Sequence, residues 1–133
     1  MIAGMKPQHP LRILFAIGLV AAIAGCETFP TSGPAALAGQ WTNSLGTVWT
    51  INPDGTFHAA VTKPKAQIWG TYTVAGDTMT VQETRQKGAV PKNCRGPGVY
   101  KFSRADANTL AFVLVNDACK PRIQNVTQQW HRQ

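Results

Sequence analysis

"GTYTVAGDTMTV", residues 70–81, runs Gly-x-Tyr, a turn, then a threonine followed by alternating apolar residues. Alternation with a period of two is the mark of a half-buried strand. Ala75-Gly76-Asp77 is too short a connection for anything but antiparallel neighbours. The stretch therefore predicts a hairpin, and "GVYKFSRADANTLAFV" (98–113) repeats the pattern around Ala105-Asp106-Ala107-Asn108. The echo reflects one hairpin geometry used twice, with glycine relieving a bend or crowding.

Outward from this hairpin, no stretch after Gly39 sustains a helical period. Strands are expected near 39–43, 46–52, 55–62, 67–74, 78–85, 98–104, 109–116 and 125–131. Pro53-Asp54-Gly55 reads as a tight turn, with glycine supplying positive φ. Seven or eight short antiparallel strands must hide their edges, and closure does this best. The fold class is all-β: a small antiparallel up-and-down β-barrel of about eight strands. A two-sheet β-sandwich is the alternative, and it usually needs longer crossovers. The longest irregular stretches are 86–97 and 117–124, and each holds one cysteine.

The start of the chain reads differently. Lys6 and Arg12 precede an apolar run from Ile13 to Ala24. About twelve residues of helix span about 18 Å, short of a roughly 30 Å hydrocarbon core. A positive start, a short apolar middle and small residues at the end predict an export signal over residues 1–25. Ile23-Ala24-Gly25-Cys26 resembles the lipobox of bacterial lipoproteins. That resemblance implies a diacylglycerol on the Cys26 thiol, cleavage before it and acylation of the new amine. Three acyl chains exceed what stable anchoring needs. Glu27 stands where an aspartate would imply inner-membrane retention, so the outer membrane is favoured in a cell that has one. The alternative is an ordinary secretory signal with a chance cysteine.

Lipidation at Cys26 leaves Cys94 and Cys119 as a pair, and an exported compartment is oxidising enough to join them. The alternative is two free thiols. Residues 26–38, with "ETFPTSGPAALA" after the cysteine, read as a flexible tether, and residues 39–133 as the barrel domain. Of thirteen basic and six acidic residues, only Lys6 and Arg12 precede Cys26, so the remaining 108 residues carry a net charge of +5. That balance favours anionic partners over nucleic acid, for which no aromatic-basic signature is present.

Gly39-Gln40-Trp41 resembles the G-x-W that opens lipocalins. The resemblance implies that Trp41 plugs one barrel end under an arginine from near the last strand, with Arg132 the first candidate and Arg122 the second. It also implies an interior filled by side chains or by one small ligand. "LAGQW" resembles the start of bacterial inhibitors of alkaline metalloproteases, small exported barrels whose disulfide sits early, whereas the cysteines here are late. This second likeness is one of fold.

Nothing in the chain assembles a catalytic centre. His58 and His131 lie far apart, and there is no Cys-x-x-Cys for a metal. Ser32, Ser44 and Ser103 have no histidine placed beside them. Asp54 and Asp77 sit in turns, where aspartate is favoured. No cofactor is expected. Two groups of residues remain. The aromatic group, Trp49, Trp69, Tyr72, Tyr100, Phe102 and Trp130, offers a core or an apolar ligand pocket. Within strands, Tyr100 and Phe102 share a face, while Trp69 and Tyr72 oppose each other. The basic group, Lys92, Arg95, Lys120 and Arg122, would gather at one end if Cys94 and Cys119 bond, with Asp117 placed to pair with Arg122. The expectation is a non-enzymatic, lipid-anchored binding module of the bacterial cell envelope, taking a small amphiphile or an anionic envelope component. The alternatives are an inhibitor or interaction partner of an exported protein, and a structural envelope lipoprotein.

Overall fold

The structure, a computed structural model, describes residues 3–4, 28–91 and 94–133. The export-signal and lipidation readings, including Cys26, rest on residues outside these, and so does Lys92. Eight strands form one closed barrel in sequence order: β1 (Gly39–Thr42), β2 (Val48–Ile51), β3 (Thr56–Thr62), β4 (Lys65–Ala75), β5 (Thr78–Gly88), β6 (Gly98–Asp106), β7 (Thr109–Asn116) and β8 (Trp130–Arg132). Every neighbouring pair is antiparallel. The three-residue β8 completes the ring by pairing Leu110 with Trp130 on one side and Trp41 with Arg132 on the other. A sandwich is thereby excluded.

Alternation sets the core. In β6, Gly98, Tyr100, Phe102 and Arg104 are buried while Lys101, Ser103 and Ala105 are exposed. The hairpin of residues 70–81 forms as expected, with Tyr72 paired to Val81 and Val74 to Met79 across a Gly76 turn at φ 61°. The Asn52–Thr56 turn also forms. Gly55 takes φ 89°, and Asp54 accepts hydrogen bonds from the Thr56 amide at 3.0 Å and the Thr56 hydroxyl at 2.6 Å.

Between β4 and β5 the register slips at Trp69/Gly70, so that Trp69 opposes Arg85 and Gly70 opposes Glu83, leaving Thr84 as the extra residue of a bulge. A bulge re-aims the side chains that follow it. Here it turns Arg85 outward, over the Trp69 ring at 3.8 Å. It also places Gln86 on the inner face, where its amide donates to the Glu83 carboxylate. Gly70 is required at this point: a Cβ there would lie 2.7 Å from the Phe57 ring and 2.2 Å from the Gln82 carbonyl.

Two expectations need correction. The strand read over 125–131 is instead the end of a helix, α1 (Lys120–Val126), followed by the short β8. Pro121 sits in the first turn, where its fixed φ suits a helix and its missing N–H is no loss. Seven residues are too few to display a helical period. The tether also ends earlier than residue 38. Pro34–Ala36 form a 3-10 turn, and Ala36 and Leu37 are fully buried in the core. Leu37 belongs there because its carbonyl accepts the Trp41 indole N–H at 2.9 Å.

Candidate functional site

The barrel has two unlike ends. At the end where β1 begins, Trp41 is fully buried and the Arg132 guanidinium lies 4.4 Å from its ring. Gly39 has φ 142°, and a Cβ on it would stand 2.5 Å from Arg132 Nη1. The glycine of G-x-W is thus the space in which the arginine stacks. Of the two candidates Arg132 takes this place. A second guanidinium, Arg104, approaches Trp41 at 4.9 Å. It donates to four backbone carbonyls: Ala36 at 2.7 Å, Ala107 at 2.6 Å, Thr109 at 3.2 Å and Asp106 at 3.3 Å. Burial pulls its pKa down, and Arg132 adds to this. Arg104 was legible as an ionisable residue on the apolar parity of its strand.

At the other end, under α1, lies a cavity of about 180 Å³. Its wall includes Trp49, Phe57, Ala59, Ala66, Ile68, Val81, Val126, Trp130 and both cysteines. The rim residues Pro64, Ala89, Pro91 and Pro121 are exposed, so the cavity opens to solvent there. An apolar cavity of about 150 Å³ can hold benzene. The space here suits a single ring or a short alkyl segment.

Cys94 and Cys119 form a disulfide, with Cα atoms 4.5 Å apart. It ties the β5–β6 loop to the start of α1 and forms part of the cavity wall. Beside it, Arg122 uses all five guanidinium N–H groups. It donates to Asp117 through Nε and Nη2, each at 2.6 Å, to Glu83 at 3.2 Å, and to the Cys94 and Gly96 carbonyls at 3.1 and 2.9 Å. Asp117 also accepts the Tyr100 hydroxyl and, at 2.8 Å, the Cys119 amide. Burial pushes the Asp117 carboxyl up, but the bonds from Arg122, Tyr100 and Cys119 outweigh it and hold the pKa below the ordinary value. Glu83 goes the other way: burial raises it, and Gln86 and Arg122 offset that only in part. Burial, then the bond to Asp117, raises Tyr100.

The network fixes α1 over the cavity. Asn43 adds to this from the β1–β2 turn, donating to Asn125 Oδ1 at 2.7 Å and to the Asn125 carbonyl at 3.2 Å.

Of the aromatic candidates, Trp49 and Trp130 line the cavity. Tyr72, Tyr100 and Phe102 are buried elsewhere in the core. Trp69 does not face the interior. It stacks on the outer surface between His58, at 5.1 Å between ring centres, and Arg85. The basic group is also corrected: Arg122 is neutralised by two buried carboxylates, while Arg95 and Lys120 are exposed. Thr47 and Glu83, both in the cavity wall, escaped the sequence reading. Glu83 carried a signal, since it follows Met79 and Val81 on the inward parity of its strand. Thr47 carried the same signal, two residues before Trp49 in the stretch 46–52 read as a strand, although it lies in the connection just before β2.

Three tryptophans are buried, and two are satisfied alike: Trp41 Nε1 donates to Leu37 and Trp130 Nε1 to Val126, both at 2.9 Å. Trp49 Nε1 has no partner among the described residues, and neither has Thr47 Oγ1. Both residues line the cavity. A buried polar group without a partner costs about 1–3 kcal/mol. Among the described residues, no group of three or more His, Cys, Asp or Glu could hold a metal ion.

Fold and site define a small closed barrel with one plugged end and one apolar, open-mouthed end. No known protein family, curated protein or solved structure matches this chain.

Proposed function

We propose that this chain is an exported, lipid-anchored binding module of the cell envelope, without catalytic activity, that holds a small amphiphilic molecule in its barrel cavity. The observation that carries the reading is the unpartnered Trp49 indole N–H and Thr47 hydroxyl in a mainly apolar wall whose charged members, Glu83 and Arg122, are paired with each other. A ligand with one hydrogen-bond-accepting oxygen and an apolar body would satisfy the indole and fill the space. Native mass spectrometry of the protein drawn from its own cells tests this. The expected result is a small-molecule adduct that is absent from Ala59→Phe, whose ring fills the cavity. A bare native mass, together with a Trp49 indole resonance unmoved by small amphiphiles, overturns the reading. For the anchor, fatty-acid labelling that persists in Cys26→Ala, or is absent from the wild type, overturns lipidation.

A second reading, an interaction partner of an exported protein, draws on the exposed second half of β7. Val113, Leu114 and Val115 are 67%, 40% and 53% exposed in succession. Loss of a co-purifying exported protein in Val113→Lys with Val115→Lys would favour it over the first.

A further inference from the structure

Acidic charge is segregated along the barrel axis, whereas exposed cations such as Lys101 and Arg132 stand toward the plugged end as well. The exposed acidic residues Asp54, Asp77 and Asp106 all lie in the turns at the plugged end. The connections at the open end carry the exposed cations Lys63, Lys65, Arg95 and Lys120. The carboxylates near that end, Asp117 and Glu83, are buried on Arg122.

The cations are also placed with regularity. Three prolines form much of the cavity rim: Pro64, Pro91 and Pro121. Two of them have lysine beside them in the chain, as Lys63-Pro64-Lys65 and Lys120-Pro121. Among the described residues, Lys63, Lys65 and Lys120 have no ion-pair partner. Apolar rings thus continue the cavity wall to its edge, and exposed lysines adjoin two of them in the chain.

Resting on the cavity reading above, we infer that the ligand is an anionic amphiphile, a carboxylate or phosphate whose apolar part, with the uncharged oxygen that meets the Trp49 indole, enters the cavity while its charged head stays at the mouth over the proline–lysine collar. Taking a bare charge into the apolar interior is costly, so the head remains in water. Clustered cations beside a low-dielectric wall raise the local concentration of anions. The same chemistry belongs to a free organic acid and to the head of an anionic lipid.

Hexanoate, hexan-1-ol and hexylammonium carry one alkyl chain under three head charges. They are titrated into the full chain at low ionic strength, with the Trp49 indole N–H resonance as readout. Hexanoate should bind about tenfold more tightly than hexanol, and hexylammonium more weakly than either. Added salt should narrow the gap. Replacing Lys63, Lys65 and Lys120 by glutamine should bring hexanoate down to the affinity of hexanol and leave hexanol unchanged. Equal affinity for all three probes overturns the anionic head and leaves the cavity reading standing. Binding of none overturns both. In the last arm, phosphatidylglycerol vesicles that displace hexanoate assign the head to a bilayer lipid, and vesicles that do not assign it to a free acid; either supports the class.

Discussion

Each end of this barrel is organised around a buried arginine, and the two arginines are used in opposite ways. Arg104, at the plugged end, donates to backbone carbonyls and lies over the Trp41 and Phe29 rings. Arg122, at the open end, meets two carboxylates and two carbonyls. The first guanidinium fills space: with Trp41, Leu37 and Arg132 it leaves that end solid. The second ties loops together around an opening. The β5–β6 loop and α1 have few strand hydrogen bonds of their own, and they are held by a disulfide and an ion-pair network. A barrel that must keep a cavity at one end cannot close that end by packing, so directional bonds and a covalent link take over.

The comparison breaks most sharply at Asp117. Its carboxylate is wholly buried and accepts four hydrogen bonds. Asp117→Ala would strand the Arg122 charge, and losing one partner of a buried pair costs about 3–5 kcal/mol. Chemical denaturation at neutral pH should show that loss. Because the folded pKa of Asp117 lies below its ordinary value, its contribution is full above about pH 3.9 and disappears as pH falls through the folded pKa. The gap between wild type and variant should therefore shrink in acid. Next in size is the disulfide. Its sequence separation of 25 residues corresponds to about 3.5 kcal/mol in the chain-entropy treatment. Cys94→Ala with Cys119→Ala should lower stability by about 2–4 kcal/mol and weaken ligand binding with it. A double variant that kept full ligand affinity would show that the cavity wall does not depend on the cross-link.

The plugged end should respond less. Arg104→Met keeps much of the side-chain volume but removes the Arg104 donor from the buried Ala36 carbonyl and leaves Ala107 only its bond from Arg132, a loss of about 1–3 kcal/mol. Ligand binding at the far end should be unchanged. A change in cavity affinity would mean that the two ends are coupled through the barrel wall, and the contrast drawn above would fail.

This difference between the ends also governs what could be read from the sequence. The plugged end is made of strand parity and short turns, and both are local. Gly39-Gln40-Trp41, the Pro53-Asp54-Gly55 turn and the Gly76 hairpin were visible for that reason. The open end depends on groups far apart in the chain. Arg122 stands 39 residues from Glu83 and 28 from Cys94. No period or motif records those meetings, so Arg122 read as one of a basic group with Asp117 as its expected partner, and its bonds to Glu83, Cys94 and Gly96 stayed out of sight. The short α1 was missed because Pro121, the disulfide and the Arg122 bonds hold it more than any helical pattern does. The bulge at Thr84 was invisible too, yet it decides that Arg85 leaves the interior and Gln86 enters it. Trp69 faced the wrong way in the expected ligand set, although its opposition to Tyr72 was already legible from parity.

The smallest effect tests the finest part of the comparison. Arg122 is not shared evenly between its carboxylates. Asp117 receives two bonds at 2.6 Å, whereas Glu83 receives one at 3.2 Å. The consequence appears in their opposite pKa directions: Asp117 is held down, while burial keeps Glu83 above the usual range despite Gln86 and Arg122. A raised folded pKa means that the contribution of Glu83 is full below its unfolded pKa, about 4.3, and is lost as pH rises through the folded value. Glu83→Gln keeps an acceptor for Arg122 and removes the titration. At neutral pH it should lie within about 1 kcal/mol of wild type. Its stability relative to wild type should improve as pH rises through the interval above about 4.3, opposite in slope to Asp117→Ala, whose deficit deepens with rising pH. Urea midpoints for both variants across the acid range decide the matter. If the two difference curves slope the same way, Glu83 is a full partner of Arg122, and the open end rests on a symmetric triad rather than on one tight pair with a strained neighbour.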